Sequence, residues 1–314
     1  MKTRLIKADR SVALPMLADG CYYHLSYTVL INGDLAILST DFDLIAWWRN
    51  DQKSAKLPEK INYLIAIFDG ETFKAKASFA MRDPIYPLID QFSNGDWLVV
   101  NPRCYNRGDK NAMRIAPTGA IMSQFNLGDA IEHAQINKHD EIIIGFFDEG
   151  TNYNRGWDAS GARENFALAP IICCDGNGKP LWSVDKEMDS FYIVDCYALN
   201  IGSNEAYAYY DSDYIIIALS PQGITAHWQA DIKGGKMLAF NQDHLVVACS
   251  YDDPNLIEII AKNDAAKHYL AHMDSAQPLQ VIGGRDDQLH YICGDQWLTF
   301  CVTSIVNQLK EHQG

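Results

Sequence analysis

No stretch of about 18 consecutive apolar residues occurs in the 314-residue sequence, which excludes a transmembrane helix. Residues 1–18 mix Lys2, Arg4, Lys7, Asp9 and Arg10 among their apolar residues, so the unbroken hydrophobic segment of a secretory signal is missing as well. The expectation is a cytoplasmic protein without a membrane partner. Positive charge is also scarce. There are 26 Lys and Arg against 40 Asp and Glu, a formal net charge of −14, and the basic cluster that grips a phosphate backbone is absent. Nucleic acid is therefore not an expected partner. No G-x-x-x-x-G-K-[ST], G-x-G-x-x-G or G-x-S-x-G motif is present, which leaves phosphate-cradling loops and a nucleophile elbow without support. The eight cysteines form no C-x-x-C pair and no zinc-type spacing. Most sit in apolar runs such as Val247-Ala248-Cys249, as buried thiols do. What remains is an ordinary globular balance, 48% hydrophobic and 21% charged. A chain this long buries about 75% of its unfolded surface without needing disulfides or metal.

A repeated turn followed by an apolar run is the strongest pattern. It occurs at Asn32-Gly33-Asp34, Asn94-Gly95-Asp96, His139-Asp140-Glu141, Ser203-Asn204-Glu205, Gln242-Asp243-His244 and Asp286-Asp287-Gln288. Each reads as a hairpin turn entering a strand. With Asp34, Asp96, Asp140, Asn204, Asp243 and Asp287 as anchors, the separations are 62, 44, 64, 39 and 44 residues. Insertions at about 41–60 and 149–169 account for the two long intervals. Removing them leaves the roughly 40–45 residues of a four-stranded blade. The sequence predicts an all-β chain, 1–314, forming one six-bladed β-propeller domain. A strand around Leu5 and Ile6 is expected to complete the last blade, and a helix-like tail runs from Ile305 to His312. A closed ring protects sheet edges that an open antiparallel sheet would expose.

This grammar resembles six-bladed propellers of the NHL, TolB and SMP-30-like groups. The segments Ile131-Glu132-His133-Ala134-Gln135, Ile144-Gly145-Phe146-Phe147-Asp148-Glu149-Gly150 and Asp195-Cys196-Tyr197-Ala198-Leu199-Asn200 are most similar to a group of uncharacterised bacterial propeller proteins. The resemblance implies a fold and carries no activity. The early Glu and paired Asn and Asp calcium ligands of SMP-30-like lactonases have no counterpart in this sequence.

In such a ring, the loops entering the innermost strands gather with those leaving the second strands at one mouth of the channel. The second-strand loops begin near Asp41, Asn101, Asp148, Asp211, Asp252 and Asp295. For Asp41, Asp252 and Asp295, capping of backbone amides at a turn is sufficient explanation. Blades 3 and 4 add an acid before the innermost strand, so Glu132, Asp148, Asp195 and Asp211 are expected in one sector. Four such carboxylates need a cation, a basic side chain or raised pKa values to coexist. Calcium or another divalent cation held by these four, with Asn152, Asn154 or backbone carbonyls completing the shell, is one solution. Neutralisation by Arg155, Arg163, Arg103 or Arg107 is the other.

The expected ligand site comprises Glu132, His133, Asp148, Glu149, Asn152, Arg155, Asp195 and Asp211, with Tyr153 and Trp157 on the adjoining loop. His24 and His133 are candidate general bases near innermost-strand entries. His268 and His272 fall in a strand-like run, without the Glu of a zinc-protease motif. Trp47 and Trp48 lie in a short helix with Asp43 as its cap, and because adjacent residues cannot both face one core, at least one of them is expected to be available to a partner. The leading functional expectation is a binding propeller for a small polar or cationic molecule or a partner peptide. A divalent-metal-dependent hydrolase or lactonase and an interaction scaffold are the alternatives.

Overall fold

The structure is a computed structural model. It describes residues 4–15, 22–49, 58–81, 87–104, 106–153, 156–157, 166, 168–185, 187–188, 191–275 and 277–311. Six four-stranded antiparallel meanders stand around one axis. Blade 1 comprises Tyr23–Val29, Leu35–Thr40, Ile61–Phe68 and Phe73–Met81, and blade 2 comprises Leu88–Gln91, Trp97–Val100, Ala112–Ile115 and Ile121–Phe125. Blade 3 is built from Ile131–Ile136, Ile142–Phe146, Ile171–Cys174 and Pro180–Val184. Blade 4 follows with Cys196–Ile201, Ala206–Tyr210, Ile215–Ser220 and Gly223–Gln229, then blade 5 with Met237–Phe240, His244–Ala248, Leu256–Ala261 and Asp264–Met273. Blade 6 takes Gln280–Arg285, Gln288–Cys293 and Gln296–Cys301 from the end of the chain and Arg10–Ala13 from its beginning.

The turns explain the rhythm. Asn32 Oδ1 accepts the Asp34 amide and Asn94 Oδ1 accepts the Asp96 amide, while Gly33 and Gly95 take the left-handed conformation with φ of 84° and 87°. Such hairpin corners favour glycine because a Cβ is strained there. The second strands are then buried end to end, as in Leu35–Thr40, where only Ser39 and Thr40 are polar, and Ile142–Phe146. Both faces of each blade press on a neighbour, so alternation disappears in the middle of the sheet and survives only near its outer edge.

The strand that closes the ring is not the expected one. Leu5–Ile6 pairs in parallel with His272 and Met273 and becomes a fifth strand on blade 5. Arg10–Ala13 instead runs antiparallel to Gln296–Cys301, from Arg10 opposite Thr299 to Ala13 opposite Gln296. The reason is burial. Ile6 is fully enclosed in the core shared by blades 5 and 6, whereas only Val12 of the closing strand is even half-buried. An outermost strand needs backbone pairing and little apolar character.

Val302–Glu311 forms the C-terminal helix, with Val302, Ile305, Val306 and Leu309 on its buried face against that same core. Leu44–Arg49 forms a short helix in blade 1, where Asp43 Oδ1 accepts the Ala46 amide at 2.8 Å. Trp47 is half-buried there, and the Trp48 side chain lies outside the described residues. No helix among the described residues is long and apolar enough to cross a membrane.

Candidate ligand site at the channel mouth

Innermost strands run along the axis, so their first residues lie at one mouth and their last residues at the other. The two ends differ in chemistry. At the C-terminal ends, Arg285 of blade 6 reaches Asp90 of blade 2, Nη1 to Oδ2 at 3.4 Å, and donates from Nη2 to the Ile136 carbonyl of blade 3 at 2.6 Å. Ile136 N donates to the same Asp90 oxygen at 2.7 Å. Both charged groups are almost wholly buried, and burial pushes the Asp90 carboxyl upward against the pull of the Arg285 guanidinium. This clasp ties three blades together across the axis.

At the N-terminal ends lies a cavity of about 550 Å³. Glu132, Tyr197 and Ile282 line it for one shared reason. The pairing shifts between Ile131 and His133, between Cys196 and Ala198, and between Val281 and Gly283, so each of the three is the extra residue of a bulge in an innermost strand. A bulge breaks the alternation and re-aims a side chain. Gly284, also on the lining, lies so close to the Leu238 carbonyl of blade 5 that a Cβ would overlap it.

The cavity brings together Glu132, His133, Asp148 and Asp195. Asp148 begins the six-residue helix Asp148–Tyr153, which Thr151 Oγ1 fastens to blade 4 through the Val194 carbonyl at 3.0 Å. Asp211 adjoins the cavity. Its amide donates to the Asp195 carbonyl at 3.1 Å, and its Oδ1 accepts the Tyr251 hydroxyl at 2.8 Å. The Asp195 carboxyl is pushed up to about 7, first by burial and then by the negative charges of Asp148, Glu132 and Asp211. Among the described residues, none of these four acids forms an ion pair. His133 is held below the usual imidazole range by burial, and its Nε2 meets no hydrogen-bond partner among the described residues.

Other expected residues stand elsewhere. Glu149 turns to Arg103, 2.6 Å from Nη1, and Arg103 also contacts Asp129 at 3.1 Å. Arg107 donates to the Trp157 carbonyl at 3.0 Å, so neither of these arginines neutralises the mouth. Asn152 is exposed beyond the cavity, Tyr153 is 74% exposed beside Arg103, and Trp157 is buried in the core between blades 2 and 3. Arg155, Asn154 and Arg163 lie outside the described residues. His24 packs against Ser39, Nδ1 to Oγ at 3.0 Å, in blade 1. Asp41 receives the Asn62 amide at 2.9 Å, the turn-capping role expected of it.

Three participants were not anticipated: Tyr197, Tyr251 and Lys236. Tyr251 neighbours Asp252, which marks the second-strand loop of blade 5, so the locating signal was one residue away. The tyrosine rings meet edge to face at 90° with centroids 5.9 Å apart, and their hydroxyls lie 2.6 Å apart. Sequence spacing also missed the convergence of Asp231, Glu258 and His268 between blades 4 and 5. Among the described residues, only there do three potential metal-ligand atoms lie within 4.8 Å of one another. No three of the four acids of the mouth meet so closely.

Residues 165–282 match the model of the YxzG family. No curated protein matches the chain. Among solved structures, virginiamycin B lyase from Staphylococcus aureus is similar at 12% identity, over 92% of this chain and 97% of that one, with a TM-score of 0.52. A chain of the mitotic checkpoint complex matches at 9% identity over 96% and 97%, TM-score 0.50. A gluconolactonase from Xanthomonas campestris matches at 10% identity over 94% and 97%, TM-score 0.44. At these identities the likeness is one of architecture. The chain is a six-bladed β-propeller, closed by its own N-terminal segment and sharing its overall fold with virginiamycin B lyase.

Proposed function

We propose that the channel mouth binds a small cationic ligand. The observation that carries this reading is Asp195, whose carboxyl is pushed up to about 7 among three further acids that have no ion-pair partner among the described residues. Such crowding is relieved when positive charge enters, and a protein-lined cavity of about 550 Å³ suits a small organic molecule. A cationic side chain of a partner peptide meets the same requirements. The alternative of a calcium-dependent hydrolase or lactonase has less support, because no three of Glu132, Asp148, Asp195 and Asp211 present oxygen atoms close enough to share one ion.

The test is thermal denaturation and titration with a panel of amines and with calcium at pH 8. Stabilisation by amines, reduced in Asp195→Asn, is the expected result. A stoichiometric calcium ion with a matching thermal shift would favour the metal reading instead. No response to any cation would remove the proposal.

A further inference from the structure

Resting on the cation reading, we infer that the mouth selects an alkylated, quaternary-type ammonium group over a metal ion or a primary amine, using the perpendicular faces of Tyr197 and Tyr251 as its walls. The two hydroxyls are already engaged with each other, and that of Tyr251 also with Asp211. What the tyrosines have left to offer a ligand is ring surface. Their 90° arrangement at 5.9 Å makes an aromatic corner, and Tyr251 is 53% exposed, so its ring is accessible. Aromatic faces attract cations through the ring quadrupole, and cages of such faces suit quaternary ammonium groups.

The rest of the lining agrees. Val281 and Ile282 contribute apolar surface, which cannot replace the water stripped from a strongly hydrated ion. A tetraalkylammonium carries no N–H to satisfy and is weakly hydrated, so burial against that wall costs it little. The acids supply a diffuse negative field without converging on a chelating point. Lys236 stands on the same lining with no ion pair among the described residues, which disfavours a doubly charged guest more than a singly charged one.

The experiment is NMR titration of the full chain at pH 8 with tetramethylammonium chloride, methylammonium chloride and calcium chloride, at matched ionic strength against sodium chloride. Tetramethylammonium is expected to saturate, shift the Tyr197 and Tyr251 resonances and bind at least about tenfold more tightly than methylammonium. Tyr251→Ala should weaken it about tenfold, whereas Tyr251→Phe, which keeps the ring, should stay within about twofold. The wild-type selectivity is decisive even if a variant misfolds. Methylammonium or calcium binding as tightly as tetramethylammonium would overturn the selectivity and leave a cation site standing. Equal losses in the Phe and Ala variants would overturn the role of the ring face. If no cation saturates, this inference and the cation reading both fall.

Discussion

Glu258 and Asp195 are both withdrawn from bulk water in neighbouring blades, yet their surroundings are opposite. Glu258 is fully buried and richly served. It accepts the Asp231 amide at 3.0 and 2.8 Å, the Ile232 amide at 2.8 Å and the His268 Nδ1 at 2.5 Å. It thereby pins the linker that carries the chain from blade 4 to blade 5. Asp195 is half-buried among like charges, and its carboxyl is raised to about 7. A satisfied buried acid holds a fold together, whereas an acid in a repulsive cavity retains an unmet interaction that a ligand can supply. The same contrast separates the two ends of the channel. In the clasp Asp90 and Arg285 answer each other's charge, while none of the acids of the mouth forms an ion pair among the described residues.

Substitutions test that contrast, beginning with the largest expected effect. Glu258→Ala strands two backbone amides and removes one partner of His268, and should cost about 3–5 kcal/mol in urea denaturation, with Glu258→Gln losing less because one acceptor oxygen remains. Arg285→Met leaves Asp90 buried without its partner and should cost about 3 kcal/mol or more. Adding Asp90→Leu to that variant should recover part of the loss, because two apolar groups then replace a broken pair. A double variant as unstable as the sum of the singles would show that the clasp is not one coupled unit.

Effects at the mouth should be smaller and of opposite sign. Asp195→Asn is expected to retain the fold and to gain about 1 kcal/mol at pH 8, with little change at pH 4. The sign follows from linkage. A folded carboxyl raised to about 7 keeps a proton that the unfolded chain, with its ordinary value of 3.8, has released between those pH values. The contribution of this group to stability is therefore fully present below about pH 4 and is lost as pH rises through about 7. A wild-type stability curve that fell over this window, flattened in Asp195→Asn, would support the assignment. Asp148→Asn and Asp211→Asn should likewise fold, and unfolding of either would identify a structural cap in place of a ligand residue. The smallest change expected is Asp43→Ala, about 1 kcal/mol or less, from loss of the Ala46 cap in blade 1.

Much of the ring was legible because hairpin corners obey local rules. Asn-Gly-Asp at 32–34 and at 94–96 specifies a turn through its own side-chain hydrogen bonds, wherever the strands then go. The closing strand escaped notice because Arg10-Ser11-Val12-Ala13 is an exposed edge with no apolar periodicity, while the more conspicuous Leu5-Ile6 serves blade 5. Spacing within blades 3 and 4 put Glu132, Asp148, Asp195 and Asp211 in one sector. It could not show that Glu149, next to Asp148, turns toward Arg103. Tyr197 and Ile282 reach the cavity through bulges, and a bulge is a pairing irregularity that exists only once two strands are in register. The Asp231–Glu258–His268 cluster joins a linker, a third strand and an outer strand, with no shared local pattern to betray it.

By itself the sequence determined the blade rhythm, the turns and the sector where acids collect, since these depend on backbone conformation and burial within about 40 residues. Which acids are paired, which are left to repel one another, and which aromatic rings wall the cavity was decided only when six blades closed on one axis. Charge interactions and ring contacts act through space over a few ångströms, and no ordering along the chain encodes those distances.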